Sequence, residues 1–198
     1  MSSAGEANLV VATVPPSQVV RGIEPVREAL CRRYGEPSVA KMPIHVELRS
    51  SIQVPEDAVD AFIEEFGLLI REWEPFRVRT DALCCQNLTF DGEKMPSAYL
   101  PVRKDLDLLE FNRCLAEYPR FRIRREPRFN PAIVLARGFL TKDEMKEIEA
   151  LAKDEPDLFG GKFEWTCDNV TLYERQGSDW EQWHVFRLQE ARFRADLI

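Results

Sequence analysis

The sequence predicts an α+β protein, and two observations carry that prediction. Short apolar segments of strand character alternate with segments whose apolar residues recur at helical spacing. Hairpin-type turn signals interrupt this alternation at residues 91–92 and 176–179, and hairpins join antiparallel strands. The predicted order is β-α-β-α-β-β-α followed by β-α-β-β, which favours sheets with helices packed outside over a helix bundle.

The first elements follow from local patterns. The segment at residues 9–14 is short and rich in β-branched residues, as is typical of a buried strand. Apolar residues from 19 to 30 then lie on one face of a predicted helix. Residues 44–52 predict a second strand. Pro55 then opens a helix whose apolar stripe extends over residues 59–70.

The middle of the chain predicts a β-hairpin followed by a helix. Residues 76–79 alternate strictly between apolar and basic side chains, and we expect this strand to bend through Asp81 before it reaches Cys85. A fourth strand is expected around residues 98–102. Apolar residues at helical spacing between 106 and 115 predict the next helix.

The last third predicts one more strand–helix unit and a closing hairpin. Residues 132–137 are apolar and follow a proline, as a buried strand does. Thr141 with Glu144 fits a capping box and predicts the start of a helix. Residues 163–174 have strand character, and residues 180–188 predict the final strand.

Composition narrows the function classes. The net charge of −7 disfavours loose electrostatic binding to nucleic acid, and no apolar run approaches the length of about 20 residues that spans a bilayer. Five cysteines without CxxC spacing accompany only two histidines, so we expect free thiols, no metal and no other cofactor. These features predict a cytoplasmic protein in a single domain over residues 1–198.

One local exception to the acidic balance lies before residue 129. The cluster consists of Arg120, Arg122, Arg124, Arg125 and Arg128. It could steer a phosphate towards the neighbouring strand, or it could be a solvated strand edge whose charges prevent further pairing.

Two proline-led strands carry the strongest signal. The first, at residues 43–49, contains His45-Val46-Glu47-Leu48, and the second, at residues 131–137, contains Ala132-Ile133-Val134-Leu135. This pair resembles the twin His-x-Thr/Ser strands of the 2H phosphoesterase superfamily, which includes the 2'-5' RNA ligase-like and cyclic phosphodiesterase proteins. The resemblance extends over roughly residues 8–188 and implies a bilobal fold, with two antiparallel-rich sheets around a central cleft.

The resemblance implies that each motif strand places a histidine and a hydroxyl residue on the floor of the cleft. Residues two apart on a strand share a face, so the pair point into the cleft together. One imidazole is then the general base and the other the general acid on a 2',3'-cyclic phosphate or a 2'-5' phosphodiester, while the hydroxyls hold phosphate oxygens. Each proton transfer is worth about 10² to 10⁴-fold in rate.

Only one of the four motif positions is retained here. His45 is present, Glu47 replaces the first hydroxyl residue, Ala132 replaces the second histidine, and Val134 lacks the threonine oxygen. Glu47 would repel phosphate, and we expect it to raise the pKa of His45. His45 is therefore either a remnant base or a partly buried histidine paired with Glu47 or a nearby backbone group.

Further residues complete the predicted site. Strand parity places Arg49 on the face of His45 and Glu47, where it could pair with Glu47 or bind an anion. The same parity turns Arg137 away from Ala132 and Val134. His184 is expected on a hairpin surface. Several aromatic residues are either core or a base-stacking surface, namely Tyr99, Phe121, Phe129, Trp165 and Tyr173.

Three functions remain open from the sequence. The favoured one is a 2H-fold protein without turnover that binds a nucleotide, cyclic nucleotide or RNA phosphate, with His45 at the catalytic position and Glu47, Arg49, Val134 and Tyr173 around the ligand. The second is a working phosphodiesterase in which Glu47 or Tyr173 carries the other proton. The third is an interaction protein whose cleft is filled. An open cleft would favour the first, and a second titratable group within about 3 Å of His45 would favour the second.

Overall fold

The computed structural model describes residues 5–34, 41–90, 93–118, 129–138, 140–176 and 179–189. It has nine strands in these ranges: β1 Glu6–Thr13, β2 Val46–Pro55, β3 Phe76–Arg79, β4 Cys84–Phe90, β5 Glu93–Pro101, β6 Ala132–Arg137, β7 Glu164–Cys167, β8 Asn169–Gln176 and β9 Asp179–Arg187. The helices are α1 Ser17–Tyr34, α2 Val59–Arg71, α3 Leu106–Glu117, α4 Lys142–Asp154 and α5 Pro156–Phe159, and a 3-10 turn at Glu56–Ala58 precedes α2.

The strands form three sheets, and every pairing between the described strands is antiparallel. The four-stranded sheet has the order β2-β1-β8-β9, the three-stranded sheet has the order β4-β5-β6, and β3 pairs with β7 alone. Helix α1 packs against β6, α2 against β2 and β9, and α4 against β4 and β5. The predicted α+β class with antiparallel sheets and helices outside is confirmed.

The predicted bent strand over residues 76–85 is instead two strands. β3 ends at Arg79 and pairs with β7, whereas β4 begins at Cys84 and pairs with β5. Thr80 lies between them and forms an isolated bridge to Val102. The chain therefore changes sheets at this point, which a local alternation pattern does not reveal. The short helix α5 was also not expected from the pattern.

One large apolar core joins these layers. It contains side chains from the first described strand to residue 188, and its largest fully buried members are phenylalanines on α2 and α3, namely Phe62, Phe66 and Phe111. A second, small cluster lies on the other face of the four-stranded sheet, where Val10, Ala12 and Tyr173 are buried. We call this second face the site face, because it carries the residues discussed below.

Helix α4 begins with the predicted capping box. The Thr141 hydroxyl accepts a hydrogen bond from the Glu144 backbone N–H at 3.2 Å, and the Thr141 backbone N–H donates to the Glu144 carboxylate at 2.7 Å. The Thr141 backbone N–H and hydroxyl both donate to the Glu144 carboxylate at 2.7 Å, and these two hydrogen bonds lower the pKa of that carboxyl. Both orphan donors at this helix end are thereby satisfied.

We expect Thr141→Ala to reduce the free energy of unfolding by about 1 kcal/mol, because the Glu144 N–H loses its acceptor. Thr141→Ser is the matched control, since it keeps the hydroxyl, and it should retain most of the stability. Urea unfolding monitored by circular dichroism measures both variants. Equal losses in the two variants would show that the hydroxyl does not cap the helix.

Candidate functional site around His45

His45 lies immediately before β2 and is buried at 6% exposure. Its Nδ1 is 2.7 Å from the Pro43 carbonyl oxygen. A carbonyl oxygen only accepts hydrogen bonds, so Nδ1 carries the proton and donates. The imidazole ring contacts Trp180 and Tyr173, with ring centroids 5.2 Å and 6.1 Å away. Of the two partners considered for a buried His45, Glu47 and a backbone group, the backbone group is the one observed.

The pKa of His45 is lowered to about 4, chiefly by burial and also by the charges of Arg137 and Arg27, while the hydrogen bond to Pro43 opposes this shift. The expectation that Glu47 raises this pKa is wrong, because desolvation of the imidazole exceeds every other effect. At pH 7 the ring is therefore neutral, with its proton on Nδ1 and a lone pair on Nε2.

A β-bulge in β2 corrects the predicted position of Arg49. Ala12 pairs with Glu47, but the next residue, Val11, pairs with Arg49, so Leu48 is an extra residue in the strand. Glu47 thus lies on the site face with Ala12, while Arg49 lies on the opposite face with Val11.

The buried Arg49 guanidinium faces helix α3 instead of the site. Its Nη2 donates to the Asn112 carbonyl oxygen at 2.8 Å, and the Asn112 side-chain amide donates to the Leu48 carbonyl oxygen at 3.0 Å. The parity prediction that placed Arg49 on the same strand face as Glu47 is therefore wrong. Arg49 joins β2 to α3.

A bulge at Leu135 in β6 likewise changes the predicted strand face of Arg137. Val134 pairs with Tyr99 and Ala136 pairs with the adjacent Ala98, which makes Leu135 the extra residue. Arg137 pairs with Ser97, which shares a face of β5 with Tyr99.

Arg137 consequently lies on the same face as Ala132 and Val134, where simple alternation did not place it. The other face of β6 contributes Ile133, Leu135 and Ala136 to the main core.

The two motif strands approach one another. β2 and β6 come into contact although they belong to different sheets. The charge of Arg137 is one of the effects that lower the pKa of His45. The contact between the two strands places Arg137 and the half-buried Ala132 and Val134 on β6 next to β2, which begins immediately after His45.

An aromatic pair completes the site. Tyr173 on β8 and Trp180 on β9 contact each other with centroids 5.9 Å apart, and both contact His45. Trp180 pairs with Arg175, which shares a face with Tyr173. Trp180 was not among the site residues predicted from the sequence. The signal was available, because the predicted hairpin at residues 176–179 places position 180 opposite 175.

The remaining predicted residues lie elsewhere. His184 pairs with Leu172 on the opposite face from Tyr173, and its ring contacts Phe186 with centroids 4.4 Å apart. Trp165 belongs to the main core, and Phe129 packs against it. Tyr99 is buried on the same face of its sheet as Val134. The arginine cluster at residues 120–128, together with Phe121, falls outside the described residues.

Two surface cavities of the described chain do not include the site. One, of about 610 Å³, lies between α2 and β9, and another, of about 550 Å³, lies between the start of α1 and β7. Within the described ranges no group of three or more His, Cys, Asp or Glu side chains is placed to hold a metal ion. None of the helices in the described part of the chain is long and apolar enough to cross a membrane.

Comparison with solved structures identifies the fold. Escherichia coli LigT in complex with 3'-AMP superimposes with a TM-score of 0.65 at 17% identity, over 94% of this chain and 100% of LigT. The chain has the 2H phosphoesterase fold. TT0787 of Thermus thermophilus superimposes with a TM-score of 0.56 at 18% identity over 93% of this chain and 99% of TT0787. Kluyveromyces marxianus Usb1 with uridine monophosphate gives 0.51 at 14% identity over 95% of this chain and 100% of Usb1.

No family model and no curated protein sequence matches the chain. The 2H phosphoesterase fold is thus evident in the backbone, while the similarity of the sequences is low. The chemistry of this site follows from its own side chains. Those side chains offer a hydrogen-bond acceptor at His45 Nε2, a guanidinium at Arg137, a carboxylate at Glu47 and aromatic rings at Tyr173 and Trp180.

Proposed function

We propose that this chain binds a nucleotide, a cyclic nucleotide or an RNA phosphate at the His45 site without turning it over. The observation that carries the proposal is that His45, the one retained motif residue, is buried and has a pKa of about 4. A base of such low pKa is a poor proton acceptor at neutral pH, and a neutral imidazole cannot donate a proton as a general acid.

The opposite motif strand supports loss of catalysis. Ala132 has no proton to transfer, and the Val134 side chain offers no hydrogen bond to a phosphate oxygen. Arg137 supplies a permanent positive charge on the same face, and guanidinium groups bind phosphate through paired hydrogen bonds. LigT has been crystallised with 3'-AMP and with ATP, and Usb1 with uridine monophosphate, which supports a nucleotide as the ligand class.

The alternative of an active phosphodiesterase requires a second proton carrier near His45. Among the described residues, the side-chain hydrogen bond of His45 goes to the Pro43 backbone. Tyr173 is a ring neighbour at 6.1 Å between centroids, and burial raises the pKa of its hydroxyl, which makes it a poorer acid. We therefore keep binding without turnover as the proposal.

A specific observation favours a second candidate function, an interaction protein with a filled cleft. The rings of Tyr173 and Trp180 pack against His45 and leave it 6% exposed. Such rings could occupy the space that a ligand would need. Nucleotide binding separates the two functions, because a filled site would bind none of the nucleotides tested.

We expect 3'-AMP to raise the melting temperature of the purified chain, by about 5 to 10 °C at a concentration of 100 times Kd. Arg137→Ala should weaken binding about 10- to 100-fold, because a charge-assisted contact to phosphate is lost. Arg77→Gln is the matched control, since Arg77 pairs with Glu164 on the small sheet, and its affinity should equal that of the unaltered chain. Isothermal titration calorimetry provides the affinities.

Hydrolysis is tested on the same protein. We expect no release of product from 2',3'-cyclic nucleotides or 2'-5' oligoadenylate above the buffer rate. Turnover that disappears in His45→Ala would contradict the proposal and support the active phosphodiesterase.

We also propose that the chain is one domain and lies in the cytoplasm. The main core draws residues from both sheets of the site, and the five cysteines are thiols that form no disulfide, as a reducing compartment keeps them. A single cooperative unfolding transition is the expected result for one domain. Two separated transitions would contradict the single-domain proposal, and fractionation of cells would test the compartment.

A further inference from the structure

The protonation state of His45 restricts which ligand atom it can contact. Nδ1 donates to the Pro43 carbonyl oxygen, so the neutral ring has only its Nε2 lone pair left for a further contact. Two acceptors facing each other repel, so Nε2 cannot lie against a phosphate oxygen. It requires a donor, and the donors that a ribose phosphate carries beside its phosphate are sugar hydroxyls.

Arg137 supplies the positive charge that a phosphate in this site would contact. The bulge at Leu135 places Arg137 on the face of Ala132 and Val134, and β6 contacts β2, which begins next to His45. A phosphate has only acceptors when fully ionised, so the guanidinium of Arg137 is its matching partner. The carboxylate of Glu47, on the site face of β2, disfavours phosphate near that strand.

We propose that the site selects a ribose phosphate monoester with a free neighbouring hydroxyl, such as a nucleoside 3'-phosphate, over a 2',3'-cyclic phosphate. This proposal rests on the proposed function and narrows its ligand class. The hydroxyl donates to His45 Nε2 while the phosphate contacts Arg137. In a 2',3'-cyclic phosphate both the 2' and the 3' oxygens are esterified, so no hydroxyl next to the phosphate remains to donate to Nε2, and one negative charge replaces nearly two.

The test compares three probes at pH 7 by isothermal titration calorimetry: 3'-AMP, 2'-deoxy-3'-AMP and 2',3'-cyclic AMP. We expect 3'-AMP to bind about 5- to 10-fold more tightly than 2'-deoxy-3'-AMP, which is the usual effect of one hydrogen bond. The cyclic nucleotide should bind more weakly still. Equal affinities for 3'-AMP and 2'-deoxy-3'-AMP would overturn the selectivity and leave the proposed function intact, whereas binding of none of the three would overturn the proposed function.

The variant His45→Phe tests whether His45 causes the selectivity. Phenylalanine keeps a ring against Tyr173 and Trp180 but has no lone pair, so we expect the ratio between the two monophosphates to fall to about 1. A ratio that persists in His45→Phe would overturn the role of Nε2. The unaltered chain gives a second readout that does not depend on the variant's folding, because ¹⁵N NMR should show the Nδ1–H tautomer and a shift of Nε2 with 3'-AMP but not with 2'-deoxy-3'-AMP. An unmoved Nε2 signal would contradict the contact.

Discussion

The free energy of unfolding is expected to fall by about 3 kcal/mol through His45 alone as the pH decreases from 6.5 to 4. The pKa of this imidazole is about 4 in the folded chain, against 6.5 as its ordinary value. Above pH 6.5 both states are neutral and the residue has no effect on the pH dependence. Between pH 6.5 and pH 4 the imidazole binds a proton in the unfolded chain but not in the folded chain, so unfolding becomes more favourable.

Carboxyl groups also titrate near pH 4, so the effect is measured as a difference between variants. His45→Gln removes the titrating group, and its stability should fall less steeply over this range than that of the unaltered chain. His184→Gln is the matched control, because it removes the other histidine from the opposite sheet face and should leave the steep fall in place. Urea unfolding at pH 7.0, 5.5 and 4.5 gives the slopes. Parallel curves for His45→Gln and the unaltered chain would show that His45 is not held neutral by burial.

Hydrolysis of a 2',3'-cyclic nucleotide is expected in the triple variant Glu47→Thr/Ala132→His/Val134→Thr. This variant restores all four motif positions, and the second histidine supplies the missing proton transfer. A gain on the order of 10² to 10⁴-fold over the unaltered chain is expected, which is the usual worth of one general acid or base. Phosphorus NMR of the product measures the rate.

Two comparisons make this test specific. Ala132→His alone should give little activity, because Glu47 still repels the phosphate and neither hydroxyl is present. Adding His45→Ala to the triple variant should leave most of the gained rate, because a buried His45 with a pKa of about 4 is a poor proton acceptor at neutral pH. A robust rate from Ala132→His alone would show that Glu47 and Val134 do not matter, and an inactive, well-folded triple variant would show that β6 does not align the second histidine for catalysis.

Elements with strong local signals could be predicted from the sequence. The strict alternation of residues 76–79 indicated the start of β3, and the Thr141–Glu144 pair indicated the start of α4, because capping is decided within one helical turn. The hairpin between β8 and β9 was likewise evident from its turn residues. The 2H resemblance was correct for the fold, since the two proline-led segments do form strands β2 and β6 that meet.

The orientation of the arginines could not be predicted, because it depends on the partner strands. Leu48 and Leu135 are ordinary strand residues, and nothing in their identity signals a bulge. Only the register against β1 and β5 shows that each is unpaired. A rule of strict alternation therefore exchanged the faces of Arg49 and Arg137.

The pKa of His45 could not be predicted from the sequence either. The expected influence came from Glu47, two residues away, whereas burial dominates the observed pKa. The rings in contact with His45 come from Tyr173 and Trp180, more than a hundred positions along the chain. Such long-range contacts are fixed by the folding of the hairpin onto the sheet.

The bulges at Leu48 and Leu135 occupy equivalent places in the two motif strands. Leu48 and Leu135 each lie three positions after the first motif residue, His45 in one strand and Ala132 in the other. The two strands therefore share an irregularity of backbone pairing although the side chains at their motif positions differ. Aligning the strands on their bulges superimposes position 45 on position 132, a correspondence that the identities of the two residues do not reveal.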